Sequence, residues 1–205
     1  MDVRELSVPG CLEIAPAVHA DPRGLFLEWF RADRLAMIIG RPFAVAQANH
    51  SISRRGTLRG VHYALVPPGQ AKYVYCPRGA VLDVVVDLRL GSPTYGVSDS
   101  ARLDDVDRRA VYIPEGVGHA FMALEDHSAL TYLCSTPYDP SRERAVHPLD
   151  PALDLPWPDD VEPVLSDRDH AAPGLEQAAG AGGLPTWASC QARYAADRTH
   201  AGDPA

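Results

Sequence analysis

Imidazole, guanidinium, ammonium and phenol groups sit within runs of this sequence that otherwise read as β-strands. Gln47, Asn49 and His50 lie on one run, Arg59 and His62 on a second, and Lys72 on a third. His119 and Tyr132 lie on or beside two more. Such groups hold ligands and move protons. Inward side chains of a closed β-sandwich should be apolar unless the interior holds a ligand. Gln47 and Asn49 share a face, being two residues apart on a strand. Leu130, Tyr132 and Cys134 also share one, which turns Tyr132 inward. Taken singly, His62 reads as a structural histidine and Tyr132 as a packed aromatic with a bonded hydroxyl. Together with Arg59, Lys72, Asn49 and Gln47 they are harder to dismiss, because each buried charge costs energy unless it is used.

The basic residues number 19, and Lys72 is the single lysine. A lone lysine among arginines marks a place where a compact ammonium suits better than a planar fork. A catalytic metal is not expected. His62 is followed by Tyr63 and Ala64, so a His-x-His pair is missing, and His119 has no obvious third partner. The chain shows no G-x-S-x-G elbow, no Walker loop and no G-x-G-x-x-G opening a helix.

These groups need a scaffold. The spacing predicts strands over 25–30, 43–51, 58–63, 71–76, 80–88, 99–103, 110–113, 120–124 and 129–135. Arg31 to Ile39 reads as a short helical or irregular stretch. Asp21-Pro22-Arg23-Gly24 signals a turn, and Pro77-Arg78-Gly79 predicts a hairpin. Turn signals at intervals of roughly 8–12 residues fit an all-β sandwich or barrel. The stretch from Tyr138 to Leu165 is rich in Pro and Asp and has little periodicity. Gln191 to Arg198 could form a helix, so the expected organisation is one domain over 1–185 and a helical or loose tail over 186–205.

The 205 residues are 46% hydrophobic and 22% charged, an ordinary globular composition. The net charge of −8 opposes nucleic-acid binding, which needs a basic face. No apolar run approaches a membrane span, and the start lacks the pattern of a secretory signal, so the expected compartment is the cytosol. Cys11, Cys76, Cys134 and Cys190 are far apart and form no C-x-x-C pair, which argues against a zinc ribbon or a disulfide framework.

Seven segments in order then resemble one family. They are Asp21 to Phe26 with Glu28, Gln47 to Ser51, Leu58 to Tyr63, Pro68 to Cys76, Asp83 to Gly96, Ile113 to Phe121 and Leu165 to Asp169. From about residue 5 to residue 190 the chain resembles the dTDP-4-dehydrorhamnose 3,5-epimerases. The resemblance implies a cupin-like jelly roll with short peripheral helices, usually a homodimer, acting without cofactor on dTDP-4-keto-6-deoxyglucose. By the same resemblance His62 is the base, Asp169 its orienting carboxylate, Lys72 the cation beside the carbonyl oxygen and Tyr132 the acid. Arg23, Arg59 and Arg168 are implied at the pyrophosphate. Glu28, Gln47, Asn49, His119 and Glu143 are implied at the sugar or nucleotide, and Phe26 and Tyr138 against thymine or the sugar. The first segment is expected to cross to the partner, so that Arg23 and Glu28 serve the neighbour's site. Leu133-Cys134, Thr136-Pro137-Tyr138 and His147-Pro148-Leu149-Asp150 depart from the family pattern. They leave open a monoepimerase acting at C3 or C5 alone. A nucleotide-sugar-binding cupin without epimerase activity is a further alternative.

Overall fold

The computed structural model describes residues 2–200. Its strands, in chain order, are β1 (Asp2–Glu5), β2 (Leu12–Ala15), β3 (Val18–Asp21), β4 (Gly24–Leu27), β5 (Gln47–Ser53), β6 (Leu58–Ala64), β7 (Lys72–Arg78), β8 (Ala80–Val86), β9 (Ser98–Asp104), β10 (Ala110–Ile113), β11 (Gly118–Ala123), β12 (Ser128–Cys134) and β13 (Glu143–Ala145). The helices are α1 (Ala32–Ile39), α2 (Asp167–His170), α3 (Leu175–Gly180) and α4 (Trp187–His200). One sheet runs β1-β2-β10-β7-β12-β5 and the other β13-β6-β11-β8-β9, while β3 and β4 form a separate hairpin. The strand pairs are antiparallel, and the two large sheets stack as a jelly-roll sandwich.

Alternation along the strands builds this stack. Val74, Val111, Ile113 and Leu130 of the first sheet meet Val81, Val85, Leu103 and Phe121 of the second in a buried interior cluster. The residues between them face outward and are also covered. Tyr73, Tyr75, Tyr112 and Leu133 lie under Leu35 of α1 and Phe43. Val61, Tyr63, Val84 and Val86 lie under Leu153, Leu175 and Leu184. Burial on both faces explains why Val84 to Val86 reads as an unbroken apolar run. Among the described residues, no helix is long and apolar enough to cross a membrane.

The expected hairpin at Pro77-Arg78-Gly79 is absent. β7 and β8 belong to opposite sheets, and the chain crosses between them at Gly79. That residue has φ +72°, and a Cβ there would sit 2.7 Å from the Ser128 hydroxyl. A glycine that reads as a hairpin turn is here a corner of the sandwich. The early strands β1 to β3 and the late β13 also escaped the sequence reading. β1 and β3 are exposed along their length, and β13 is a three-residue strand at a sheet edge. β2 is buried, with Leu12 and Ile14 in the core and Glu13 between them, but four residues are too short a run to mark a strand.

The segment Asp83 to Gly96 contains a structural lock. Asp87 and Arg89 have wholly buried side chains and meet at 2.8 Å through both carboxylate oxygens. Ser92 and Thr94 donate their hydroxyls to Asp87 Oδ2 at 2.6 and 2.7 Å. Burial alone would raise the Asp87 carboxyl, but the guanidinium and hydroxyls more than offset it and hold the group below the usual carboxylate range. The Arg89 guanidinium lies 4.6 Å from the centroid of the Trp187 ring, on the first turn of α4. Cys190 and Tyr194 of that helix are buried, and Asp197 takes Arg41 at 2.8 Å.

Asp87→Asn should lower the unfolding free energy by about 3–5 kcal/mol in a urea titration at neutral pH, because it strands a buried guanidinium. The carboxyl is depressed in the fold, so its contribution is present above the usual carboxylate range and fades as the pH falls through the lowered value. The gap between wild type and variant should therefore shrink in acid.

Candidate active site

An irregularity within β6 sets which residues enter the interior. Strict alternation would put Arg59 and His62, three residues apart, on opposite faces. The register against β11 shows otherwise: His62 faces His119, and Arg59 faces Phe121. Three steps on β6 match two on β11, so β6 carries one extra residue, a bulge. Gly60 lies in it, with φ +121°, and a Cβ there would stand 2.5 Å from the His119 carbonyl oxygen. Both Arg59 and His62 consequently face inward.

They line a cavity of about 260 Å³ with Lys72, His119, Phe121, Tyr132, Ser166, Arg168 and Asp169. Arg59, His62, His119 and Phe121 come from one sheet, and Lys72 and Tyr132 from the other. The segment 165–170 closes the side. Ser166 caps α2 by accepting from the Asp169 amide at 3.1 Å, which fixes the Asp169 side chain toward β6.

Asp169 Oδ1 meets His62 Nε2 at 2.6 Å. Burial would raise this carboxyl, but His62, the Ser166 hydroxyl and the Gly60 amide hold it below the usual range. Burial pushes the Tyr132 phenol up, with Cys134 adding to the shift and Arg59 opposing it, so the phenol keeps its proton at neutral pH. Lys72 is buried, opposite Cys134 on the neighbouring strand. Among the described residues Lys72, Arg59 and Arg168 have no carboxylate partner within ion-pair distance. Three unpaired cations around one cavity make a site for an anion and for negative charge developing on oxygen. His119 is held through Nε2 by Asp83 Oδ2 at 2.7 Å. Each histidine thus has a carboxylate of its own. Among the described residues no three His, Cys, Asp or Glu side chains could hold a metal ion.

The other candidates divide into two sets. Gln47 and Asn49 lie on β5 beside the site and bond to each other at 2.8 Å. Gln47 also accepts from the Tyr138 amide at 2.7 Å, and Asn49 faces Tyr132 across the strand pair. Tyr138 and Glu143 line a second cavity of about 260 Å³, which Arg168 joins to the first by donating to the Tyr138 hydroxyl at 3.4 Å. Arg23, Phe26 and Glu28 are not brought to either cavity. The Arg23 side chain is 90% exposed and pairs with Asp21, Phe26 is 65% exposed, and Glu28 lines a separate depression with Arg31 and Arg34. Asp83, Phe121 and Ser166 were missed as site residues. Asp83 had a signal, a carboxylate within the apolar run Val81 to Val86, and Ser166 had another, the Ser-x-x-Asp spacing of a helix start.

A family model described as dTDP-4-dehydrorhamnose 3,5-epimerase matches residues 5–177. The chain belongs to the dTDP-4-dehydrorhamnose 3,5-epimerase family. It is an isomerase of the epimerase type, which sets aside the reading of a cupin that only binds. A dTDP-4-dehydrorhamnose 3-epimerase of Streptomyces niveus is 58% identical over 94% of this chain and 92% of its own. A dTDP-4-dehydrorhamnose 3,5-epimerase of Mycolicibacterium smegmatis is 57% identical over 94% of each. Among solved structures, a 3′-monoepimerase from Streptomyces bikiniensis in complex with dTDP-quinovose superposes with a TM-score of 0.93, at 49% identity over 95% of this chain and 98% of its own. This member of the 3,5-epimerase family thus has both single- and double-centre relatives at nearly equal identity.

Gly60→Ala should cost activity and stability together. The positive φ alone predicts a loss of about 1–2 kcal/mol, a Tm lowered by roughly 2–8 °C in a thermal melt. An unchanged Tm with full epimerase activity would show that β6 tolerates a side chain in the bulge.

Proposed function

We propose that this epimerase inverts carbons flanking the ketone of dTDP-4-keto-6-deoxyglucose. The observation that carries the reading is the placement of His62 and Tyr132 on opposite sheets, with a sugar-sized gap between them. Both C3–H and C5–H lie beside the C4 carbonyl. His62 takes one of these protons, and the C–H electron pair moves onto the C4 oxygen as an enolate. The Lys72 ammonium faces that oxygen and opposes its charge. The Tyr132 phenol then gives its proton to the other face of the carbon, which inverts the centre. Proton exchange with solvent resets both groups. Asp169 keeps His62 oriented and its acceptor nitrogen toward the sugar. The ketone is the electron sink, so the chemistry calls for no nicotinamide and no metal.

Arg59 and Arg168, lacking carboxylate partners, are suited to the pyrophosphate, with Tyr138 and Glu143 beyond them toward the nucleotide. Gln47 and Asn49 border the sugar on the β5 side, and His119 borders it beside His62. Arg23, Phe26 and Glu28 fit a homodimer in which the exposed hairpin of β3 and β4 reaches the partner's site. Val18, Leu25 and Phe26 on that hairpin are apolar and exposed, as a strand hairpin awaiting a second chain would be. Four buried free cysteines suit the reducing cytosol.

Double inversion at C3 and C5 is the first reading. Inversion of C3 alone is the second, favoured by the 58% identity to a 3-epimerase. Incubation with the 4-keto sugar in D₂O, followed by proton NMR and by reductive trapping of the product, separates them. Deuterium at both carbons with both inverted supports the first reading, and deuterium and inversion at C3 alone supports the second. No exchange at either carbon would sink the enolate mechanism. His62→Ala and Tyr132→Phe should each lower turnover by about 10²–10⁴-fold. The first should abolish exchange. The second should slow inversion more than exchange, since proton removal leaves from the His62 side.

A further inference from the structure

β8 sends Val81 and Val85 into the apolar interior, and the residue between them on that face is Asp83. Its side chain is 1% exposed. Oδ2 meets His119 Nε2, and the buried Oδ1 has no hydrogen-bond partner. Among the described residues no arginine or lysine pairs with it. A wall built only for packing would carry a third valine here, since a carboxylate with an orphaned oxygen is costly to bury. The one group that Asp83 serves is His119.

His119 is the cross-strand neighbour of His62 and lines the same cavity. A carboxylate only accepts, so the His119 nitrogen that faces it, Nε2, bears a proton. Among the described residues Nδ1 has no protein hydrogen-bond partner, which leaves it as the ring atom that meets a ligand. The arrangement parallels that of His62, on the adjacent strand, with Asp169 of α2, but differs in its surroundings. Asp169 has the Ser166 hydroxyl and the Gly60 amide besides its histidine, whereas Asp83 has its histidine alone. The imidazole of His119 therefore depends on one contact for its orientation.

We propose that Asp83 is a positioning residue for the epimerisation: it holds His119 by Nε2 and presents Nδ1 to the sugar beside His62. This rests on the epimerase reading above. An amide in place of the carboxylate can turn its NH₂ toward the ring and stabilise the wrong tautomer, as happens when the carboxylate of a His–Asp pair is replaced. Asp83→Asn should then lower kcat/KM by about 10–100-fold, the scale seen when a partner that orients a metal-bound histidine is lost. His119→Ala should lose at least as much, and the double variant D83N/H119A no more than His119→Ala alone, because Asp83 acts only through His119.

The test joins kinetics on these three variants with long-range proton–nitrogen NMR of the imidazoles in the unmodified protein. The expected spectrum shows His119 protonated at Nε2, and this reading needs neither a variant nor a substrate. Thermal melts establish that each variant folds. An unprotonated Nε2, or an Asp83→Asn with normal kinetics, overturns the proposal. So does a double variant whose loss is the product of the single losses, since Asp83 would then act independently of His119. A wild type that is inert toward the sugar overturns the epimerase reading instead, a result distinguishable from failure of the positioning role in an active enzyme.

Discussion

One extra residue in β6 decides what the interior of this sandwich can hold. Without the bulge at Gly60, regular pleating would send either Arg59 or His62 into the apolar layer under the C-terminal segments. With it, both reach the same cavity. The bulge also frees the Gly60 amide to bond Asp169, so the device that admits the histidine helps to hold the carboxylate that orients it. A side chain at this position would strike the carbonyl of His119, and that close approach is what brings the two histidines side by side.

The remainder of the protein offsets the cost of this polar end. Val74, Leu130, Val85 and Phe121 pack the middle of the sandwich, and aromatic and aliphatic layers cover both outer faces. Several arginines elsewhere are matched to acids, as with Arg41 and Glu115 or Arg109 and Glu13. The cations at the cavity are left without such partners. A chain of net charge −8 can thereby present a local positive field to an anionic ligand.

Much of this was legible in the sequence. The alternation of Leu130, Tyr132 and Cys134 gave the inward face of β12 correctly, because a two-residue period needs only an apolar side and a turn at each end. The pairing of Gln47 with Asn49 followed from the same rule. The bulge was not legible, because a single inserted residue leaves no mark on composition. The corner at Gly79 read as a hairpin because turn residues specify a reversal of direction but not which sheet receives the next strand. Asp87 and Arg89 belonged to a recognised segment, yet their use as a lock shows only when Ser92, Thr94 and Trp187 are seen around them. Arg23 and Phe26 on the β3–β4 hairpin, and Glu28 just after it, stand away from the cavity, a placement that no periodicity along the chain specifies.

The separation of the two cavity walls is governed by distant packing. Stacked sheets lie about 10 Å apart, and His62 and Tyr132 project from facing sheets into that gap. The thickness of the apolar layer beside them, filled to near-crystalline density, therefore acts as a calliper for the distance between these two side chains. Large residues such as Phe121, which borders both the layer and the cavity, are spacers as much as core. The hydrophobic interior in this way sets the thickness of ring that can be gripped from both faces at once.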